Sequence, residues 1–237
     1  MAAFARLVQD ETLDHLEESD PRAIRSRADL RRIHAVMGTR HILVKTLRHM
    51  DIRPRRMIEL GAGEASLTLR VAHTLAREWG PVHLTLLDRQ NAVSPSTVQA
   101  FCHLGWEVKL LNVDILGWIK RPAEPPYDLA LVNLFLHHFR EPELAAILTS
   151  LSQRARAICA CEPRRSRLAL GGSHLVGLLG ANAVTREDAV LSVRAGFVDD
   201  DLSRLMFPAF RGWHIEEYPA GLFTHCLAAR PPEQETG

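Results

Sequence analysis

The chain has 237 residues, of which 46% are hydrophobic, and its formal net charge at pH 7 is +1. A chain of this length can bury one substantial core, and its near-neutral charge argues against a nucleic-acid partner, which would require a concentrated basic surface. No apolar stretch is long enough to span a membrane, and charges follow the N-terminus too early for a signal peptide, so we expect a cytoplasmic protein without a membrane span.

The cysteines predict neither disulfides nor a zinc site. Cys102, Cys159, Cys161 and Cys226 lie in apolar stretches and have no framework spacing. We therefore expect all four to be buried, reduced thiols.

Residues 1–54 predict a helical N-terminal lid. Apolar residues between Phe4 and Leu16 indicate one short amphipathic helix. A longer helix is expected to begin at Asp20 and Pro21, an N-cap followed by a first-turn proline, and to end at Gly38, a typical C-cap residue. A further helical segment covers residues 39–50.

From residue 55 the pattern changes to alternating strands and helices. Apolar strands separated by helical segments are typical of a parallel sheet that is covered on both faces. Strands are predicted at 56–60, 83–88, 107–112, 127–133 and 155–161, and helices at 64–78, 94–104 and 141–152.

The second half of the chain departs from this alternation. Residues 164–206 are apolar and interrupted by glycines, and we interpret this long connection as a lid insertion. The segments 212–220 and 222–230 predict a pair of strands, which completes a domain over residues 55–230. The tail, residues 231–237, is expected to be disordered.

The run "IELGAGEAS" leaves the first predicted strand through Gly61 and Gly63. Residues without side chains let a ligand approach the backbone at the carboxyl edge of the sheet, where open α/β sheets bind ligands. Ser66 occupies the place of the third glycine in a dinucleotide-binding fingerprint, which argues against a nicotinamide or flavin cofactor. Asp88 ends the second predicted strand, where a carboxylate can accept both hydroxyls of a ribose, and Asp114 follows the third. The alternative is a helix N-cap or a loop acid for Asp88, and a solvated loop acid for Asp114.

Together these motifs resemble the class I S-adenosylmethionine-dependent methyltransferases. The family's first three motifs are matched by "IELGAGEAS", "LTLLDR" and "LLNVDI", its fourth by "YDLALVNLFLHHF" and its next strand by "AICACEP". The resemblance covers residues 55–230 and implies an α/β, Rossmann-like fold with a seven-stranded, mostly parallel sheet and a reversed C-terminal strand. More loosely, the chain is similar to small bacterial methyltransferases of phenolic or polyketide metabolism.

The resemblance also implies a cofactor, S-adenosyl-L-methionine, and roles for the matched positions. The methionine part would be held after the first strand, the ribose after the second, the adenine after the third and the sulfonium after the fourth. In that order, the implied residues are Glu59 with Gly61, Ala62 and Gly63; Asp88 with Arg89; Asp114 with Ile115; and Asn133 with Leu134.

The acceptor side is predicted from the histidines. A phenol is a poor nucleophile at neutral pH, so a histidine beside the reacting oxygen could remove its proton. His137 and His138 follow the fourth strand and are the candidate catalytic residues, although either could be a hydrogen-bonded loop histidine. His174 and Arg164 are candidate substrate-binding residues. The alternative for His174 is a helix-surface or core histidine, and for Arg164 a solvated surface position. No metal site is predicted, because adjacent histidines rarely point at one centre and no H-E-x-x-H spacing occurs.

The predicted activity is methyl transfer from S-adenosyl-L-methionine to an oxygen of a small, largely apolar acceptor, phenolic or polyketide-derived. Carbon methylation of an aromatic ring and a non-catalytic cofactor-binding module are alternatives. A nicotinamide-dependent oxidoreductase and a nucleic-acid or protein methyltransferase are less consistent with the motifs. N-terminal helices of such enzymes can also form dimer contacts, so a homodimer is compatible with the sequence.

Overall fold

A seven-stranded sheet forms the centre of the protein. A computed structural model describes residues 4–17, 19–122, 124–207 and 209–232. The strands are β1 (Arg56–Leu60), β2 (His83–Asp88), β3 (Glu107–Asn112), β4 (Leu129–Asn133), β5 (Ile158–Pro163), β6 (His214–Ala220) and β7 (Thr224–Arg230). Their order is β3-β2-β1-β4-β5-β7-β6. Strands β1 to β5 are parallel and β7 is antiparallel to both of its neighbours, so the predicted Rossmann-like sheet with a reversed C-terminal strand is confirmed.

Helices cover both faces of the sheet. Within the described residues they are α1 (Pro21–Met37), α2 (Thr39–His49), α3 (Ser66–Trp79), α4 (Pro95–His103), α5 (Ile115–Trp118), α6 (Glu141–Arg154), α7 (Arg167–His174), α8 (Ala183–Ala195) and α9 (Asp201–Met206). Three short 3-10 turns cover Thr12–His15, Leu136–His138 and Val176–Leu179. In this described part of the chain, no helix combines the length and apolar character needed to cross a bilayer.

The central strands alternate between two cores. Met57, Leu129 and Leu131 pack with residues of α2 and α3, whereas Ile58, Ala130 and Val132 pack with residues of α5, α6 and α9. Because successive side chains of a strand point to opposite faces, burial on both faces requires apolar residues at consecutive positions. This explains why these strands appear as continuous apolar runs in the sequence.

The helix predicted between Phe4 and Leu16 is wrong. Residues 4–16, which we call the N-terminal strap, contain only the 3-10 turn Thr12–His15. The Leu7 N–H donates to the carbonyl of Arg194 at 3.1 Å, and the Thr12 and Leu13 N–H groups donate to the Asp188 carboxylate at 2.8 and 2.9 Å. Groups of α8 thus receive hydrogen bonds that a helix would form within itself.

The next helix begins and ends as expected. The Asp20 side chain accepts a hydrogen bond from the Arg22 N–H, Pro21 is the first residue of α1, and Gly38 ends the helix with a φ of 68°. Residues other than glycine rarely adopt a positive φ, because their Cβ atom clashes with the backbone there. This explains the glycine at this C-cap.

Expectations about a cysteine and about strand bounds also differ from the structure. Cys102 is exposed rather than buried, because it follows the inward-facing Phe101 and lies about 100° further around α4. Strand β5 begins at Ile158 and not at 155, because α6 continues to Arg154 and Ala155 forms only an isolated bridge with Tyr127. Most of the tail expected to be disordered, residues 233–237, lies outside the described residues.

Candidate active site

A cavity of about 790 Å³ lies at the carboxyl ends of the parallel strands. Its inner wall contains residues that follow β1, β2, β3 and β4, and its outer wall comes from the strap, α1, α7 and α8. All the residues predicted to bind the cofactor line this wall, namely Glu59, Gly61, Ala62, Gly63, Asp88, Arg89, Asp114, Ile115, Asn133 and Leu134. Parallel strands place their carboxyl ends at one edge, which explains how positions spread over 76 residues of chain meet here.

The glycine turn after β1 is tied to the end of β2. The N–H groups of Gly61 and Ala62 donate to the Leu87 carbonyl at 2.9 and 3.1 Å, and the Gly63 N–H donates to Asp88 Oδ2 at 2.8 Å. Gly61 has a φ of 69°, and a Cβ atom there would lie 2.2 Å from Cδ2 of Phe135. A side chain at Gly61 would therefore strain the backbone and displace Phe135 from the cavity wall.

Glu59 is a buried acid with an unused oxygen. Its Oε1 accepts a hydrogen bond from Thr68 Oγ1 at 2.6 Å, whereas Oε2 has no hydrogen-bond partner among the described residues. Burial raises the pKa of Glu59 to about 8, an effect that the Thr68 hydrogen bond opposes and the Asp88 charge reinforces. Asn133 Oδ1 is likewise buried without a partner in the described part of the chain. Two unsatisfied acceptors on one wall favour a ligand that carries N–H donors or a positive charge.

The two aspartates after β2 and β3 organise their own loops. Asp88 Oδ1 accepts a hydrogen bond from the Gln90 N–H at 2.8 Å, in addition to the bond from Gly63. Asp114 is the N-cap of α5 and accepts from the N–H groups of Leu116 and Gly117 at 2.8 and 3.2 Å. A carboxylate oxygen has two lone pairs, so these bonds leave acceptor capacity for a ligand on the same wall.

Glu162 holds the loop that carries the two histidines. It lies at the end of β5 and is fully buried. Its Oε1 accepts from the N–H groups of Phe135 and Leu136 at 3.0 and 2.9 Å, and its Oε2 lies 2.8 Å from His137 Nδ1. One side chain thus satisfies backbone donors of the turn and orients a histidine ring.

His137 lies between two carboxyl groups. Its Nδ1 faces Glu162, and its Nε2 lies 3.4 Å from Oε1 of Glu11, which belongs to the strap. Burial alone would lower the pKa of His137, but the hydrogen bonds and charges of Glu11 and Glu162 outweigh it and raise the pKa to about 9. At pH 7 this ring is therefore an imidazolium that joins the strap to β5.

His138 has a different partner. Its Nδ1 lies 3.1 Å from Oδ2 of Asp14, another strap residue, and Asp14 Oδ1 lies 3.3 Å from Nη2 of Arg89. Burial would raise the pKa of Asp14, but the hydrogen bond and charge of His138 and the charge of Arg89 lower it below its usual value. When Asp14 accepts the Nδ1 proton, Nε2 of His138 carries a lone pair, which is the tautomer that a general base requires.

The adjacent histidines converge with Glu11 more closely than their spacing suggests. One oxygen of Glu11 and one nitrogen of each ring lie within 4.8 Å of one another, a grouping that could also accept a metal ion. In the structure, each ring is paired with strap carboxylates, as the distances to Glu11 and Asp14 show. The expectation that the protein needs no metal stays a prediction.

The structure does not bring the two predicted substrate residues to the cavity. His174 is exposed at the end of α7, whose inner face carries Ala169 and Ser173. Nη1 of Arg164 lies 3.5 Å from the Gly221 carbonyl, and Arg164 is not among the described lining residues. The assignment of His174 and Arg164 to substrate binding stays a prediction.

Four residues of the site or its support were missed by sequence reasoning: Glu11, Asp14, Glu162 and Asp188. Glu162 had a detectable signal, because "CEP" places a charged residue at the end of a buried strand. Glu11 and Asp14 had none, because a helix was predicted where the strap runs.

The sequence matches no known family model and no curated protein. The fold does match solved structures. An O-methyltransferase family protein from Burkholderia thailandensis has 13% identity and a TM-score of 0.60, over 94% of this chain and 62% of that protein. The plantazolicin methyltransferase BpumL in complex with SAH has 12% identity and a TM-score of 0.62, over 90% of this chain and 91% of that protein. The pyocyanin biosynthetic protein PhzM has 16% identity and a TM-score of 0.60, over 93% of this chain and 61% of that protein.

These likenesses show that the chain has the fold of class I methyltransferases. It spans the length of BpumL but only about three fifths of the Burkholderia protein and of PhzM.

Proposed function

We propose that this protein is a methyltransferase that uses S-adenosyl-L-methionine and transfers the methyl group to an oxygen of a small, largely apolar acceptor, phenolic or polyketide-derived. The observation that carries the proposal is the unsatisfied Oε2 of Glu59 beside the glycine turn, with the unsatisfied Asn133 Oδ1 on the same wall. The ammonium group of the cofactor's methionine part would satisfy such acceptors. The methyltransferase fold of the structural neighbours supports the same ligand.

Residues of the inner wall would hold the cofactor. Glu59 and Asn133 would accept hydrogen bonds from the ammonium group, and Asp88 would accept them from the ribose hydroxyls, with Arg89 beside it. Asp114 and Ile115 would contact the adenine, and Leu134 would lie near the sulfonium. When bound, the cofactor supplies a methyl group already activated for transfer, so the protein has to align the acceptor and manage its proton.

His138 is the better candidate for the general base. Its Nε2 retains a lone pair while Asp14 holds Nδ1, whereas both nitrogens of His137 face carboxyl groups and its raised pKa keeps the ring protonated. We assign His137 a positioning role: through Glu11 it holds the strap against the loop after β4, and through Glu162 it holds that loop to β5. His138 would remove the proton of the acceptor hydroxyl as the new oxygen–carbon bond forms.

Carbon methylation of an electron-rich ring remains the second candidate, because the same base and cavity would serve it. Fragmentation of the methylated product in a mass spectrometer distinguishes the two, since oxygen methylation adds the methyl to a hydroxyl and ring methylation leaves all hydroxyls free.

Calorimetric titration with S-adenosylhomocysteine tests the cofactor site. At pH 7 we expect binding to release close to one proton, because Glu59, with a pKa of about 8, is mostly protonated before its oxygen meets an ammonium group. Two buffers with different ionisation enthalpies report the released proton. Glu59→Gln should abolish this release and weaken binding about 10- to 100-fold, since hydrogen bonds to charged groups contribute about 1.5–3 kcal/mol.

Glu78→Gln is the matched control. Glu78 lies on the exposed face of α3, paired with Arg48, and its replacement should leave both affinity and proton release unchanged. Failure of the wild-type protein to bind the cofactor product at millimolar concentration would refute the proposal, and saturable binding of NADH instead would revive the oxidoreductase alternative.

A further inference from the structure

The outer end of the cavity is apolar and open to solvent. Four of its lining residues are large aliphatic side chains that remain exposed: Val36 at 67%, Leu175 at 59%, Leu178 at 83% and Leu179 at 39%. Val36 lies near the end of α1, Leu178 and Leu179 lie in the 3-10 turn Val176–Leu179, and Leu175 directly precedes that turn. Helix α1 and the 3-10 turn pack against each other. We call these four residues the apolar mouth. Single exposed leucines are ordinary on a protein surface, but a group that continues into a cavity marks a surface to be covered.

The end of the cavity beside His138, where the acceptor hydroxyl would lie, is polar rather than apolar. His138 and the strap acids Glu11 and Asp14 lie there. The cationic groups of the described lining already have acid partners: the His137 ring lies between Glu11 and Glu162, Arg89 faces Asp14, and Arg27 and Arg31 face Glu64. An anionic acceptor would lose its hydration here without gaining a cation that is not already paired.

The two ends together define one kind of occupant. A ligand that fills the cavity from His138 to the apolar mouth needs an uncharged hydrogen-bonding head and a long apolar body. The cavity volume of about 790 Å³ lies in the upper part of the range of about 300–1,000 Å³ for small-molecule sites, which leaves room for an acceptor beside a cofactor.

Resting on the proposed function, we propose that the acceptor is an uncharged hydroxyaromatic compound with an alkyl tail. The hydroxyl of its head lies at His138, and its tail leaves through the apolar mouth. Val36, Leu175, Leu178 and Leu179 then determine specificity by covering the tail. The end at His138, where the cations already have acid partners, rejects heads that carry a carboxylate.

The test is a series of 3-alkylphenols with unbranched tails of one to nine carbons, titrated into the protein saturated with S-adenosylhomocysteine. Binding is measured directly, so the result does not depend on turnover. We expect the dissociation constant to fall about two- to fourfold for each added CH₂ until the tail extends beyond the mouth, as expected for burial of methylene groups. A carboxylate on the ring should weaken binding at least tenfold.

The variants Leu178→Gln and Leu175→Gln should reduce the gain per CH₂ while the affinities for phenol itself and for S-adenosylhomocysteine stay unchanged. Leu168→Gln is the matched control, because Leu168 is 57% exposed on the same lid but lies outside the described cavity wall. It should keep the full dependence on tail length.

Three results would overturn the inference. One is an affinity that does not depend on tail length. The second is self-association of the ligand-free protein, and the third is its binding to neutral phosphatidylcholine vesicles. Either result assigns the apolar mouth to a different occupant if Leu178→Gln abolishes that association or vesicle binding but leaves the affinities for the alkylphenols unchanged. The proposed function is tested separately: if S-adenosylhomocysteine binds and the tail dependence is absent, only this inference fails.

Discussion

Two adjacent histidines are held by different neighbours. His137 is held between Glu11 and Glu162, whereas His138 contacts Asp14 alone among these acids. Two carboxyl groups stabilise an imidazolium, which cannot accept a further proton, whereas a single partner on Nδ1 leaves Nε2 available. The sequence motif "LHH" could not distinguish the two rings, and their partners come from distant parts of the chain.

For the single residue His138 we predict that the substitution His138→Ala lowers kcat by about 10²–10⁴, because proton removal from the acceptor is lost. The affinity for S-adenosylhomocysteine should stay unchanged, because His138 is not assigned to the cofactor. Steady-state kinetics with a phenolic acceptor, together with calorimetry, measure both quantities. His174→Ala is the control, since that side chain is exposed outside the described wall. Full activity of His138→Ala would return the role of base to His137 or to the acceptor itself.

The strap acts as an element, and its position depends on α8. The Asp188 carboxylate accepts hydrogen bonds from two backbone N–H groups of the strap. The side chain of Arg6, a strap residue, donates to the carbonyls of Ala195 and Phe139 at 2.8 and 3.0 Å. The strap carries Glu11 and Asp14, so its attachment determines whether both histidines have their partners. A segment of this length without a helix of its own opens more readily than the sheet.

We predict that Asp188→Ala makes tryptic cleavage after Arg6 about 10- to 100-fold faster, because the loss of two hydrogen bonds to a carboxylate favours the open strap by about 1.5–3 kcal/mol. Mass spectrometry over a digestion time course measures the rate. Glu187→Ala, an exposed neighbour on the same helix, is the control and should be cleaved like the wild type. Equal rates for Asp188→Ala and the wild type would show that other contacts hold the strap.

For the whole molecule, the buried imidazolium links folding to pH. The pKa of His137 is raised from its ordinary value of 6.5 to about 9, so the folded protein binds more protons than the unfolded chain between these values. Stability from this group is therefore complete below pH 6.5 and is lost as the pH rises to about 9. Glu59, with a pKa raised from 4.5 to about 8, acts in the same direction over the lower part of that range.

We accordingly predict that the free energy of unfolding falls by about 5 kcal/mol between pH 6.5 and 9, about 3 kcal/mol from His137 and about 2 kcal/mol from Glu59, since one pKa unit corresponds to about 1.4 kcal/mol. Urea denaturation across this range measures it. Glu11→Gln removes one of the two partners of His137 and should flatten the dependence, whereas Glu187→Gln should not. A stability that rises with pH over this range would contradict the assignment of a protonated His137.

The amino-acid sequence by itself determined the sheet, the helices between its parallel strands at 64–78, 94–104 and 141–152, the glycine turn, and the acids at or beyond the carboxyl ends of the first three strands. These features follow from local patterns: apolar runs for doubly buried strands, helical spacing, caps at Asp20 and Gly38, and glycines where positive φ is needed. Strands β4, β5, β6 and β7 begin two or three residues later than predicted.

Only the tertiary structure decided the acceptor side. The pairs Glu11–His137 and Asp14–His138 each join positions more than 120 residues apart, and the strap loses its predicted helix because Asp188 and Arg194 take its N–H groups. Contacts of this kind arise from packing between elements, which no local periodicity records. The physical reason is that a buried charge is defined by its partners, and those partners meet only after the chain has folded.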